Sequence, residues 1–107
     1  MSLTMLSPGA SATPQCAAEA AAQAQTLLEF HLPEVADSGG ASVSFDEPRE
    51  LAPIRNPVVP KQKFLVLEVW GYVYKATYRM RLIYYKDKGK DRSCLLMGQE
   101  ILEHAKL

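Results

Sequence analysis

The chain has 107 residues, 48% of them hydrophobic, and twelve basic side chains balance twelve acidic ones at a formal net charge of zero. That length excludes more than one domain. No run approaches the ~20 consecutive apolar residues of a membrane-spanning helix, and two cysteines do not make a disulfide framework.

The composition breaks at Pro60. All seven prolines lie at or before it, and all five tyrosines and the single tryptophan lie after it. Proline lacks a backbone donor and is confined to edges, bulges and turns in sheets, whereas aromatic and β-branched residues suit a pleated, half-buried surface. The chain therefore reads as a loosely built front followed by a sheet. Charge divides at the same place. Residues 1–60 carry seven acidic side chains against Arg49 and Arg55, and residues 61–92 carry nine basic ones against Glu68, Asp87 and Asp91. Such asymmetry marks either a polyanion-binding face or an acidic segment folded over a basic sheet.

In chain order, residues 1–12 are small and polar, with Pro8 and Gly9, and are expected to form a flexible N-terminal arm. They lack the basic start and apolar run of a signal peptide, so a cytoplasmic, reducing location is expected. Cys16 and Cys94 are accordingly read as reduced thiols, with a single bridge as the alternative. A single small domain is expected over 13–107. Thr13-Pro14 forms a helix start, with Thr as N-cap and Pro in the first turn. The alanine-rich stretch 15–29 favours helix. Gln15, Glu19 and Gln23 fall on one face, and Ala17, Ala20, Ala21, Ala24, Leu27 and Leu28 on the other. Pro33 disfavours helical geometry at Leu32 and ends the helix. Residues 33–60, with Gly39-Gly40 and five prolines, read as a long loop interrupted by one short edge strand at 41–45.

From Lys61 the period becomes two. The first strand places Leu65, Leu67, Val69, Gly71 and Val73 on one face, and Phe64, Val66, Trp70, Tyr72 and Tyr74 on the other. Gly71 suggests a bulge or bend. The second strand, from about Thr77, places Tyr78, Met80, Leu82 and Tyr84 opposite Thr77, Arg79 and Arg81, the alternation of a half-solvated antiparallel strand. The run Lys86-Asp87-Lys88-Gly89-Lys90-Asp91 is a polar hairpin turn, and a third strand covers 93–102 with Gly98 as a further bend. The expected fold class is α+β, one N-terminal helix packed on a three- to four-stranded antiparallel meander.

Little in the chain points to catalysis. His31 and His104 are far apart in sequence, and neither lies beside a Cys, Ser or carboxylate in a nucleophile pattern. The Cys and His residues lack zinc spacing, and no glycine motif cradles phosphate. No enzyme activity, metal or cofactor is expected. Basic and aromatic residues interleave from Trp70 to Arg92, which suits single-stranded nucleic acid, and Lys86, Lys88, Lys90 and Arg92 would serve it. Yet Tyr78 and Tyr84 fall on the face opposite Arg79 and Arg81, whereas a stacking platform needs both on one face.

One helix followed by an antiparallel meander resembles the cystatin fold. The residues carrying the likeness are Leu67-Glu68-Val69-Trp70-Gly71, where plant-type cystatins have Gln-x-Val-x-Gly at the first hairpin loop. The turn at Lys86–Lys90 and the apolar strand after it are also similar, and Gly9 ahead of the helix matches that family's N-terminal glycine segment. Leu67 stands where Gln is expected, and the Pro-Trp pair of the second loop is missing. The resemblance implies a non-catalytic protein-binding domain, in its sharpest form an inhibitor wedged into papain-like cysteine proteases. Gly9, Val69, Trp70 and Gly71 would form the contact. A nucleic-acid-binding module and a structural subunit of a larger assembly are the alternatives; core packing is the competing role for Trp70.

Overall fold

The structure, a computed structural model, describes residues 13–37, 43–74, 76–86 and 94–105. One long helix and a five-stranded antiparallel sheet give an α+β architecture. The elements are α1 (Ala17–His31), α2 (Pro33–Asp37), β1 (Ser44–Phe45), β2 (Arg49–Arg55), β3 (Lys63–Val73), β4 (Ala76–Lys86) and β5 (Cys94–Ala105). Strand β3 pairs with β4 along one edge and with β1 and β2, end to end, along the other; β5 pairs with β4 and closes the far side.

The helix starts later than Thr13-Pro14 suggests. Its N-cap is Cys16, which has φ 65° and makes no side-chain cap. The chain first closes a turn, Ala17 N–H donating to the Pro14 carbonyl at 3.2 Å. At the other end the Leu32 N–H bonds the Leu28 carbonyl at 2.7 Å, and Pro33 opens the short α2 instead of extending α1. Ala20, Ala24, Leu27 and Leu28 are buried in one cluster with Leu67, Val69, Tyr78, Met80, Leu82 and Tyr84. Ala21, placed by helical periodicity on the same face, is exposed. Methyl side chains at 20 and 24, both fully buried, let the helix backbone come close to the strands.

The stretch 33–60 departs from the expected loop: α2, β1 and β2 all lie in it. The expected edge strand at 41–45 is present as Ser44–Phe45, and β2 occupies residues expected to form loop, although a proline such as Pro53 disfavours a central strand. An edge position removes that objection. The ladder slips between Leu51 and Ile54, so the proline, which has no N–H to give, sits where the pairing is already broken. The sheet consequently has five strands where three or four were expected.

The cysteines are also corrected. Cys16 and Cys94 form a disulfide, Cα to Cα 5.9 Å, tying the mouth of α1 to the first residue of β5. Reduced thiols were expected from the reducing location and because two cysteines are no disulfide framework; the fold brings together two residues 78 positions apart. No helix among the described residues is long and apolar enough to cross a membrane.

Candidate protein-interaction surface

The hairpin connection between β3 and β4 follows Val73, so Val69-Trp70-Gly71 does not occupy a loop tip. All three lie inside β3, paired with Met80, Arg79 and Tyr78. Val69 is 1% exposed in the core cluster. Gly71 is buried too, and its register is continuous, without the bulge expected there. It is needed for close approach instead: a Cβ at this position would meet Phe45 Cε1 at 3.1 Å and Met80 Cε at 3.2 Å. A hairpin-loop placement of Val69 and Gly71 is thereby corrected; the strand runs on for as long as apolar alternation continues, to Val73. Gly9 lies outside the described residues, as do Lys88, Lys90, Arg92 and the side chain of Lys86.

Trp70 points to the opposite face of the sheet from Val69 and is half-buried. Its indole Nε1 donates to Glu68 Oε1 at 3.0 Å, and its ring lies 5.1 Å from that of His104. His31 lies on the other face, its ring 5.6 Å from Tyr78. The two histidines are thus separated by the sheet and each sits against an aromatic ring.

The face bearing Trp70 is ordered by register into cross-strand rows. Tyr72, Thr77 and His104 make one row, and Trp70, Arg79 and Leu102 the next. Arg49, Glu68, Arg81 and Glu100 make a charged third row. Beyond it come Leu51, Val66, Ile83 and Gly98, then Ile54, Phe64, Tyr85 and Leu95. Phe64 and Tyr85 meet edge to face at 6.4 Å.

Glu68 organises the charged row. It is 4% exposed. Arg81 Nε donates to its Oε2 at 3.0 Å, Arg49 lies 3.9 Å from Oε1 and Arg79 Nε 4.0 Å from Oε2. Arg79 Nε is past hydrogen-bonding range and buried without a partner, because the carboxylate's nearer positions are taken by Arg81 and Trp70. Burial pushes the Glu68 carboxyl up, but the Arg81 and Trp70 hydrogen bonds and the charges of Arg81 and Arg49 outweigh it and hold the group below its ordinary value. Glu68 was not singled out in the sequence, although a lone carboxylate inside the apolar run Phe64–Val73 is the signal that would have found it.

Antiparallel sheets often present one face to water, and that face is normally polar. Here its lower two rows are almost wholly apolar. Phe64 and Val66 are buried by their neighbours, while Ile54 and Leu95 stand 43% and 58% exposed, with Leu102 at 46% nearer the other end. Exposed apolar side chains on one sheet face are candidates for burial against a partner. A second recess, an open cleft of about 190 Å³ lined by Gln25, Glu29, Val35, Val43 and Phe45, is smaller than the ≈ 300–1,000 Å³ of ordinary ligand pockets. No family model, curated protein or solved structure matches the chain.

Proposed function

We propose that the chain is a non-catalytic protein-binding domain whose contact surface is the Trp70-bearing face of the sheet. The observation that carries this is the exposure of Ile54, Leu95 and Leu102 on that face, beside the half-buried Ile83 and Tyr85. The charged row of Arg49, Glu68, Arg81 and Glu100 borders the apolar rows that hold Ile54 and Leu95 and separates them from Leu102. The test is co-purification with the native chain as bait, compared with an Ile54→Arg, Leu95→Arg double variant. A partner retained by the first and lost by the second, at unchanged melting temperature, supports the surface; identical partners for both overturn it.

Cysteine-protease inhibition with a cystatin-like fold is the sharper form. Its support is the order of elements, one long helix followed by consecutive antiparallel strands. The wedge cannot be Val69 and Gly71, which are buried, so it would use the exposed β3–β4 connection at Tyr74. Titration of papain decides it: stoichiometric inhibition at or below micromolar concentration supports this form, and full activity at tens of micromolar removes it.

The nucleic-acid alternative gains one observation. Trp70, Tyr72, Arg79 and Arg81 do share a face, although Tyr78 and Tyr84 are buried on the other. Charge argues against it: Arg49, Arg79 and Arg81 are matched by Glu68, Glu100 and Asp46, whose carboxylate accepts from the Tyr72 hydroxyl. A face without net positive charge releases few counterions from a polyanion and gains little affinity.

The cytoplasmic location expected for reduced thiols gives way in this proposal to an oxidising compartment, where a bridge such as Cys16–Cys94 forms and persists.

A further inference from the structure

The two edges of the sheet are built differently. The β1–β2 edge is interrupted: β1 has two residues, β2 has a register slip and carries Pro53, and arginines stand at both ends of β2. Short strands, proline, irregular pairing and charge are the devices that blunt an edge against other chains. On the opposite side, β5 runs for twelve residues, Cys94–Ala105, with no proline, lysine or arginine. Its one irregularity falls between Leu96 and Gly98, leaving the stretch from Gly98 onward in regular register with β4. Leu102 is 46% exposed, and Glu100 and His104 are exposed on the same face.

We propose that β5 is a dimerisation edge and that its occupant is a second copy of this chain, joined by antiparallel β5–β5 pairing about a two-fold axis. The choice of occupant comes from register. In a two-fold antiparallel pair one residue faces its own copy, and opposed residues share a face of the sheet. Centring on Glu100 or on Glu103 sets like charges directly opposite, which destabilises a sheet. Centring on Ile101 opposes Glu100 to the partner's Leu102, and centring on Gln99 runs the pairing into the irregularity at Met97. Centring on Leu102 removes every conflict. Leu102 then meets the partner's Leu102, and Glu100 and His104 each face the partner's His104 and Glu100. On the other face Ile101 lies opposite the apolar stem of the partner's Glu103. Each favourable pair is made twice by symmetry. Because the β1–β2 edge is blunted, the assembly closes at two chains rather than growing into a filament.

The experiment is sedimentation equilibrium of the full chain with its disulfide intact, up to about 100 µM, an ordinary range for weak self-association. The native chain should show a monomer–dimer equilibrium. Leu102→Lys should raise the dimer dissociation constant at least about tenfold, since it sets two cations face to face at the axis, while the exposed position leaves the melting temperature unchanged. Glu100→Lys and His104→Glu should each weaken the dimer about three- to tenfold, and the double exchange should restore it, because a lysine then faces a carboxylate on each side of the axis. A native chain that is monomeric throughout overturns the proposal. So does a dimer insensitive to Leu102→Lys, or a double exchange that fails to recover what the single changes lose. Partner capture is read separately with the Ile54→Arg, Leu95→Arg variant, whose positions lie outside a β5–β5 contact centred on Leu102, so failure of the dimer and failure of the surface proposed above are distinguishable.

Discussion

Arg81 Nε donates to Glu68 Oε2 at 3.0 Å across the β3–β4 pair, on the face of the sheet turned away from the core shared with α1. The carboxylate is buried and its partners are cations or donors, so it is retained in the charged form at a cost in desolvation that the arginines offset.

Glu68→Gln should therefore destabilise the fold by about 2 kcal/mol, the scale of hydrogen bonds to a charged group, with Arg79 and Arg81 left to water. The sign of its pH dependence follows from the lowered pKa. A depressed carboxyl contributes stability that is present above its ordinary value of 4.5 and is lost as pH falls through its folded value. Urea unfolding followed from pH 6 downward should show the native chain losing stability through this acid window. The Glu68→Gln chain should start lower and show a shallower acid limb. Parallel limbs would mean that Glu68 does not drive the loss.

The bridge between Cys16 and Cys94 closes a loop of 78 residues, most of the described fold. Loop-closure arguments assign such a crosslink about 4 kcal/mol, a large share of the 5–15 kcal/mol typical of a domain. Cys16→Ser with Cys94→Ser should lower stability by that order, and reductant should lower the native chain to the same level while leaving the double variant unmoved. Thiol titration of the native chain should find no reactive thiol until reductant is added. A free thiol signal from the freshly purified native chain would remove the bridge.

Tyr84 and Tyr78 face α1 from β4. Burial raises the Tyr84 phenol, with Glu19 adding to it; burial raises Tyr78, with Glu103 and Glu34 adding to it. A phenol raised above its ordinary 10.0 contributes stability that is complete below that value and is lost as pH rises through the folded value. Ionisation of Tyr78 and Tyr84 at high pH should consequently coincide with loss of the native circular dichroism signal. Tyr84→Phe, which retains the ring and removes the ionisation, should move that alkaline transition upward. An unmoved transition would assign it elsewhere.

What the sequence made legible was periodic. Alternation from Phe64 assigned Leu67 and Val69 to one face and Trp70 to the other, and alanine content placed the helix to within two residues at either end. What it hid depended on partners distant in the chain. Pro53 masked β2, since only pairing with β3 shows that the proline falls where the ladder slips. Val69 and Gly71 matched a loop motif by spacing, but spacing cannot say where a strand ends; the continued pairing of Tyr72 and Val73 with Thr77 and Ala76 carries β3 past them. Glu68 does not stand out in the sequence because its arginines come from two other strands, β2 and β4, and only the sheet assembles them.

Gly71 separates a packing role from a binding one. An added Cβ would approach Phe45 Cε1 and Cδ1 at 3.1 and 3.2 Å and Met80 Cε at 3.2 Å. The methionine end can swing aside, but the Phe45 ring is held over β3 by the β1 pairing, Phe45 opposite Gly71. Gly71→Ala should cost about 1 kcal/mol through overpacking. Phe45→Ala, which opens the space, should abolish most of the added cost when the two are combined, a coupling that a double-mutant cycle reads directly. Any papain inhibition by the native chain should survive Gly71→Ala under conditions where the variant is folded. Selective loss of inhibition with stability unchanged would instead make Gly71 a contact residue and return the wedge to the middle of β3.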